Sequence, residues 1–224
     1  MLAHFPRVRY ALAALLATMA LAFGQPASAG FIASDLGTGG SFNANMSYTL
    51  SGPGATGGVG YGLAVKFTNS GSSSVAFGSA QLALEFHTGA NALKVLLMAD
   101  SAGLPGATLE SISLSNIAVG PSLVTATSTV GTLLAPGKTY WLAAVASNDT
   151  YMSWDANNQN QMGDLAYRVD HGSGPQPWQS AAGNPDVAFS ISTPAIPAPP
   201  SLILLGSGMA TLGFSLLGRW RRRA

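Results

Sequence analysis

The sequence predicts an all-β body, an antiparallel, jelly-roll-like β-sandwich, set between an N-terminal signal peptide and a C-terminal transmembrane helix. Three observations carry this. Apolar residues alternate with small or polar ones at period two in one segment after another of residues 30–194. Clusters of Gly, Pro, Asn and Ser break those segments at short intervals. No part of the body shows a convincing apolar stripe of an amphipathic helix.

The strands follow in order. "VGYGLAVKFT" puts Val59, Tyr61, Leu63, Val65 and Phe67 on one face and Gly60, Gly62, Ala64, Lys66 and Thr68 on the other, which predicts a half-buried strand. "NSGSSS" after it is a turn. "AQLALEF" repeats the alternation with Ala80, Leu82, Leu84 and Phe86. "ALKVLLMAD" is more uniformly apolar and reads as a central strand, and "DSAGLPG" carries turn residues. "SISLSNIAV" alternates again, and "LVTATSTV" is rich in β-branched residues. Pro136-Gly137 turns into a strand around Tyr140 to Val145, in which Trp141 belongs to the core; "DLAYRV" and "PDVAFSIS" supply two more. The total is eight or nine strands with frequent turns, the pattern of a sandwich.

Both ends read as addresses. Arg7 and Arg9 precede an apolar stretch over residues 10–23, followed by "GQPASAG" with small residues at Ala27 and Ala29. That is the layout of a secretory signal peptide, residues 1–29, with cleavage after Ala29 by signal peptidase. A retained anchor is the alternative. At the other end, residues 201–218 carry no charge, and as a helix they cover about 27 Å, close to the hydrocarbon thickness of a bilayer. Arg219, Arg221, Arg222 and Arg223 follow at once, which sets the tail on the cytoplasmic side of the inner membrane and the body outside. The proline-rich Pro197, Ala198, Pro199 and Pro200 precede this helix and resist joining it.

The exported body is acidic. All nine acidic residues lie between Asp35 and Asp186, against four basic ones, so it carries a net −5 although the whole chain is +1. Nucleic-acid binders need a basic footprint, so that class is excluded. There is no cysteine, which excludes disulfides, thiol catalysis and cysteine metal sites.

Catalytic motifs are lacking: no G-x-S-x-G elbow, no Walker loop and no H-E-x-x-H occurs. Glu85 and Glu110 are the two glutamates, and nothing in the sequence places them together as a hydrolase pair. His87 and His171 are distant from each other and read as surface residues. In "DANNQNQMGD", oxygen side chains alternate at Asp155, Asn157 and Gln159, a pattern that hard calcium uses. The spacing departs from the EF-hand, so a polar loop is the preferred reading and calcium the alternative. Trp154 and Trp178, with Tyr151 and Tyr167, cluster late in the chain near the amides of Asn157, Asn158 and Gln161. Exposed, such aromatics stack sugar rings; buried, they plug the core, which is the preferred reading.

Two resemblances complete the picture. The three-part tail from Pro197 to Arg223 resembles the PEP-CTERM sorting signal of Gram-negative bacteria, with Pro197-Ala198-Pro199 standing where that family's motif reads Pro-Glu-Pro. The resemblance implies recognition by an exosortase, a membrane cysteine protease-transpeptidase that removes the helix. A plain membrane anchor is the alternative. The body, through "VLLMADSAGLPGATLES", "LAPGKTYWLAAVAS" and "YMSWDANNQ", resembles the choice-of-anchor R type of bacterial surface domain. That implies a β-sandwich on an exported protein, with no catalytic residues to carry over. The expectation is a non-catalytic cell-surface or matrix protein that needs no cofactor and helps extracellular polysaccharide hold to the cell. The alternative is a lectin-like or calcium-dependent binding module using Trp154, Asp155, Asn157 and Trp178.

Overall fold

A computed structural model describes residues 29–55 and 57–195. Residues 1–28, where the sequence reading expects a signal peptide with Ala27 near its end, lie outside the described residues. So do the residues of the expected sorting tail: Pro197, Ala198, Pro199, Pro200, the apolar segment 201–218, and Arg219, Arg221, Arg222 and Arg223. No helix among the described residues is long and apolar enough to cross a membrane.

The described chain is all-β. Its strands are β1 (Phe31–Ser34), β2 (Asn43–Ser51), β3 (Gly60–Thr68), β4 (Val75–Ala76), β5 (Ser79–Thr88), β6 (Ala92–Ser101), β7 (Leu104–Ser115) and β8 (Ser122–Thr127). They continue as β9 (Leu133–Leu134), β10 (Thr139–Ala146), β11 (Tyr151–Ala156), β12 (Met162–Gly163), β13 (Leu165–Asp170), β14 (Gln179–Ser180), β15 (Asn184–Pro185) and β16 (Phe189–Ser192). The helical content of these residues is one 3₁₀ turn, Thr38–Gly40. Every ladder between these strands is antiparallel.

Hydrogen bonding runs through one curled sheet in the order β1-β16-β5-β11-β2-β3-β10-β6-β7, with β8 on β5 and β13 on β3. Its two halves are joined only where Ser51 of β2 pairs with Tyr61 of β3. β5 explains the curl: β8 lines one side, while β16 covers the first half of the other side and β11 the second half. The sheet closes around one core. Leu82, Leu84, Met152, Trp154 and Phe189 from one half meet Leu63, Val65, Leu97 and Leu142 from the other. The arrangement is sandwich-like, and the alternation read in β3 and β5 sets the inward residues.

Three features differ from the sequence expectation, while Trp141 is buried in the core as expected. β3 is buried on both faces, because Ala64 packs with Ala143, Ala166, Leu96 and Met98 around Trp141 in a second apolar cluster. Trp141 lies within that cluster, with its indole N–H donating to Asp100 at 2.8 Å. The "DSAGLPG" stretch is mostly strand; the turn narrows to Ala102 and Gly103, both at positive φ, as a two-residue hairpin needs. The sequence reading includes neither β2 nor β11 among its strands. Both alternate, with Ala44, Met46, Tyr48 and Leu50 in β2 and Met152 and Trp154 in β11, but polar partners and a buried acid hide the signal.

The two ends of this unit meet. β1 pairs with β16, and beyond them the Gly30 N–H donates to Thr193 Oγ1 at 3.0 Å and the Thr193 N–H to the Gly30 carbonyl at 2.9 Å.

Candidate functional site

The late segment singled out by sequence divides between core and surface. Trp154 points inward with 0% of its surface exposed, and its indole N–H donates to the Ala188 carbonyl at 3.0 Å. A sugar cannot stack on it. Trp178 is half-buried over the second cluster, and the Arg168 guanidinium lies 4.9 Å from its ring centroid.

Asp155 follows Trp154 on the opposite face of β11. It too is 0% exposed, and among the described residues neither carboxylate oxygen has a hydrogen-bond partner. Burial, reinforced by the charge of Glu85, pushes its carboxyl up to about 6. Asn157 is committed elsewhere. Its Nδ2 donates to the carbonyls of Gln161 and Asp186, and its Oδ1 accepts the N–H groups of Gln159 and Gln161. Its role is to tie the loop. Of the alternating trio, Gln159 is exposed. Among the described residues, no three His, Asp or Glu side chains converge on a position that could hold a metal ion. A calcium ligand set would have to be built on the free oxygens of Asp155, since Asn157 keeps its own in the loop.

A second acidic pair comes from the two ends of the body. Asp35 leaves β1 as its N–H donates to the Phe189 carbonyl, which brings it to the chain just before β16. There its side chain comes close enough to Asp186 for the two carboxyls to interact electrostatically. Asp186 is 9% exposed and has one oxygen with no partner. Burial first, then the charge of Asp35, the contact with its side chain, and the charge of Asp164 push its carboxyl up to about 7. Burial also raises Asp35, while the contact with Asp186 lowers it. Two neighbouring buried carboxyls disfavour each other's ionisation, so the pair as a whole holds its protons to higher pH than free carboxylates do. Gly163 makes the room: a Cβ there would collide with both Asp186 carboxylate oxygens. Tyr48 completes the wall, its hydroxyl donating to the Pro185 carbonyl at 2.7 Å.

The outer row of β5 and β11 also carries a serine, a histidine and a carboxylate. Ser153 Oγ lies 2.6 Å from His87 Nε2, and His87 Nδ1 lies 3.9 Å from Glu85 Oε1. The Tyr151 ring packs beside His87 with centroids 5.0 Å apart. The residue types match a nucleophile, a base and an orienting acid. The setting does not match acyl transfer: Ser153 is buried in mid-strand, paired with Thr49 on one side and Glu85 on the other. Backbone amides there serve the ladders, so no donor pair is left for an oxyanion.

Sequence reasoning missed the Asp35–Asp186 pair, the His87–Ser153 contact and the stacking of Arg168 on Trp178. Only the last left a linear signal, as the sole arginine between the two terminal segments. Ala29 is the first described residue. The chain matches no protein-family model and no curated protein.

Proposed function

We propose that the chain is an exported cell-surface or matrix protein without catalysis, held first in the inner membrane by its tail and then released by an exosortase-type cleavage near Pro197 to Pro200. The curled sheet reads as a jelly-roll-like sandwich carried between two processing signals. The observation that supports this most is the pairing of β1 with β16, continued by Gly30 and Thr193. The first and last described residues of the body thus lie together at one edge of the sheet. Among the described residues, every member of the main core cluster lies between Gly30 and Thr193. Such a body would offer its faces to extracellular polysaccharide.

The test is mass spectrometry of the mature ends in cells with and without the exosortase. The expected protein begins at Gly30, and ends near Pro197 to Pro200 only where the enzyme is present. A tail ending at Ala224 in both strains would make the segment a plain membrane anchor.

A further inference from the structure

Arg168 stands on β13 with its stem lying across β3. Its position there depends on glycine: a Cβ on Gly62 would come within 3.2 Å of Arg168 Cγ and 3.3 Å of Nε. One face of the guanidinium is covered by the Trp178 ring at 4.9 Å. Burial pulls its pKa below the usual arginine range, and Asp170 opposes this. The planar group carries five N–H donors. Among the described residues none of them meets an acceptor in hydrogen-bond geometry, and no carboxylate lies within ion-pair distance. Asp170, the nearest in sequence, spends Oδ1 on the N–H groups of Gly172 and Gly174 at 2.8 and 3.2 Å. The half-buried guanidinium, stacked on Trp178, therefore keeps its N–H donors free for an acceptor that comes from outside the body.

It lines a cavity of about 180 Å³. Gly60 and Gly62 leave room in it, Pro53 and Pro175 give apolar walls, and Tyr61 and Asp170 are among the other lining residues. Sites for drug-sized ligands span about 300–1,000 Å³, so this one takes a single ring-sized group. The guanidinium fork matches a carboxylate through two parallel hydrogen bonds. The proline walls suit the C–H face of a saturated ring, and Asp170 Oδ2 and the Tyr61 hydroxyl can bond ring hydroxyls. We propose that the pocket bounded by Arg168, Tyr61, Asp170 and the glycines of β3 binds an acidic sugar, with the sugar carboxylate on the guanidinium of Arg168. The surrounding body is acidic, so one local cation selects a single carboxylate without drawing in a polyanion such as nucleic acid. The inference goes beyond the export reading and does not depend on whether the tail is cleaved.

Isothermal titration calorimetry on the purified full chain, kept in mild detergent, tests it with three probes: digalacturonate, the matching neutral digalactose, and inorganic phosphate. Digalacturonate is expected to bind at least about tenfold more tightly than the other two, because only it offers both the paired carboxylate contacts and the ring. Arg168→Lys keeps the charge but loses the fork, and is expected to lose about tenfold or more in affinity with an unchanged circular dichroism spectrum. Asp170→Asn, at the hydroxyl side of the pocket, is expected to weaken both sugars. Equal binding of acidic and neutral sugar, wild-type affinity in Arg168→Lys, or no heat with digalacturonate would overturn the proposal. Phosphate binding as tightly as digalacturonate would overturn the sugar assignment and leave a bare anion site. If Arg168→Lys does not fold, the comparison of the three probes on the unaltered chain still decides between these outcomes.

Discussion

Trp154→Ala is expected to cost about 3–5 kcal/mol of folding stability, the range for truncating a large buried aromatic. The side chain has no exposed surface and ranks among the largest buried groups of the body. It sits opposite Tyr48 on β2 and Leu84 on β5, at the centre of the curled half of the sheet. Its loss leaves a cavity where both neighbours are themselves packed against the core, so the site collapses poorly. The Ala188 carbonyl also loses the indole donor, though it keeps the Ala83 N–H at 3.1 Å. Domains of this size are stable by about 5–15 kcal/mol, so the variant retains a small remainder. Urea unfolding followed by circular dichroism reads the change. A loss below about 1 kcal/mol would mean that Trp154 is not the core plug described here.

The second large effect belongs to Glu110, on β7. Its buried carboxylate accepts four hydrogen bonds from one loop. Ser128 Oγ lies at 2.7 Å, the Thr129 and Val130 N–H groups at 3.1 and 3.4 Å, and Thr132 Oγ1 at 2.9 Å. Glu110→Ala removes the acceptor and strands the donors, at a cost of about 3 kcal/mol. The charge state matters as well. Burial alone would raise this carboxyl, but the bonds from Ser128, Thr132, Val130 and Thr129 outweigh it and leave the pKa below its ordinary 4.5. A depressed folded-state pKa gives stability that is present above the unfolded value and lost as pH falls through the folded one. Asp155 and Asp186 act in the opposite sense. With folded values of about 6 and about 7 against an ordinary 3.8, they keep protons that the unfolded chain has already lost. Their contribution to stability therefore falls as pH rises from about 4 toward 7. Together these groups place maximum stability in mild acid. Thermal melts across pH are expected to show Glu110→Gln flattening the acid limb and Asp186→Asn flattening the decline toward neutral pH. An unchanged slope in Asp186→Asn would show that Asp186 is ionised in the folded protein.

The parts of the fold legible in the sequence are those where one face is apolar and the other is not. β3 and β5 were read residue by residue because Leu63, Val65, Leu82 and Leu84 alternate with small or polar partners. Burial of the second face of β3 was not legible, because Ala64, Ala143 and Ala166 are small and Trp141 supplies most of the cover. β11 was obscured for a related reason: Asp155 is an acid on a fully buried face, which no alternation rule anticipates. The Asp35–Asp186 pair needs the first and last strands to meet, and no local pattern encodes that pairing. Glu110 carries no local signal for its role, because its partners, the hydroxyls and amides of the 128–132 loop, lie about 20 residues further along the chain.

Residues 30–194 form an all-β body that is expected to fold without either terminal segment. Far-ultraviolet circular dichroism of that fragment, followed through thermal unfolding, decides this. A strand-dominated spectrum lost in one cooperative transition is expected. A strongly helical spectrum, or gradual unfolding without a transition, would overturn the fold described here.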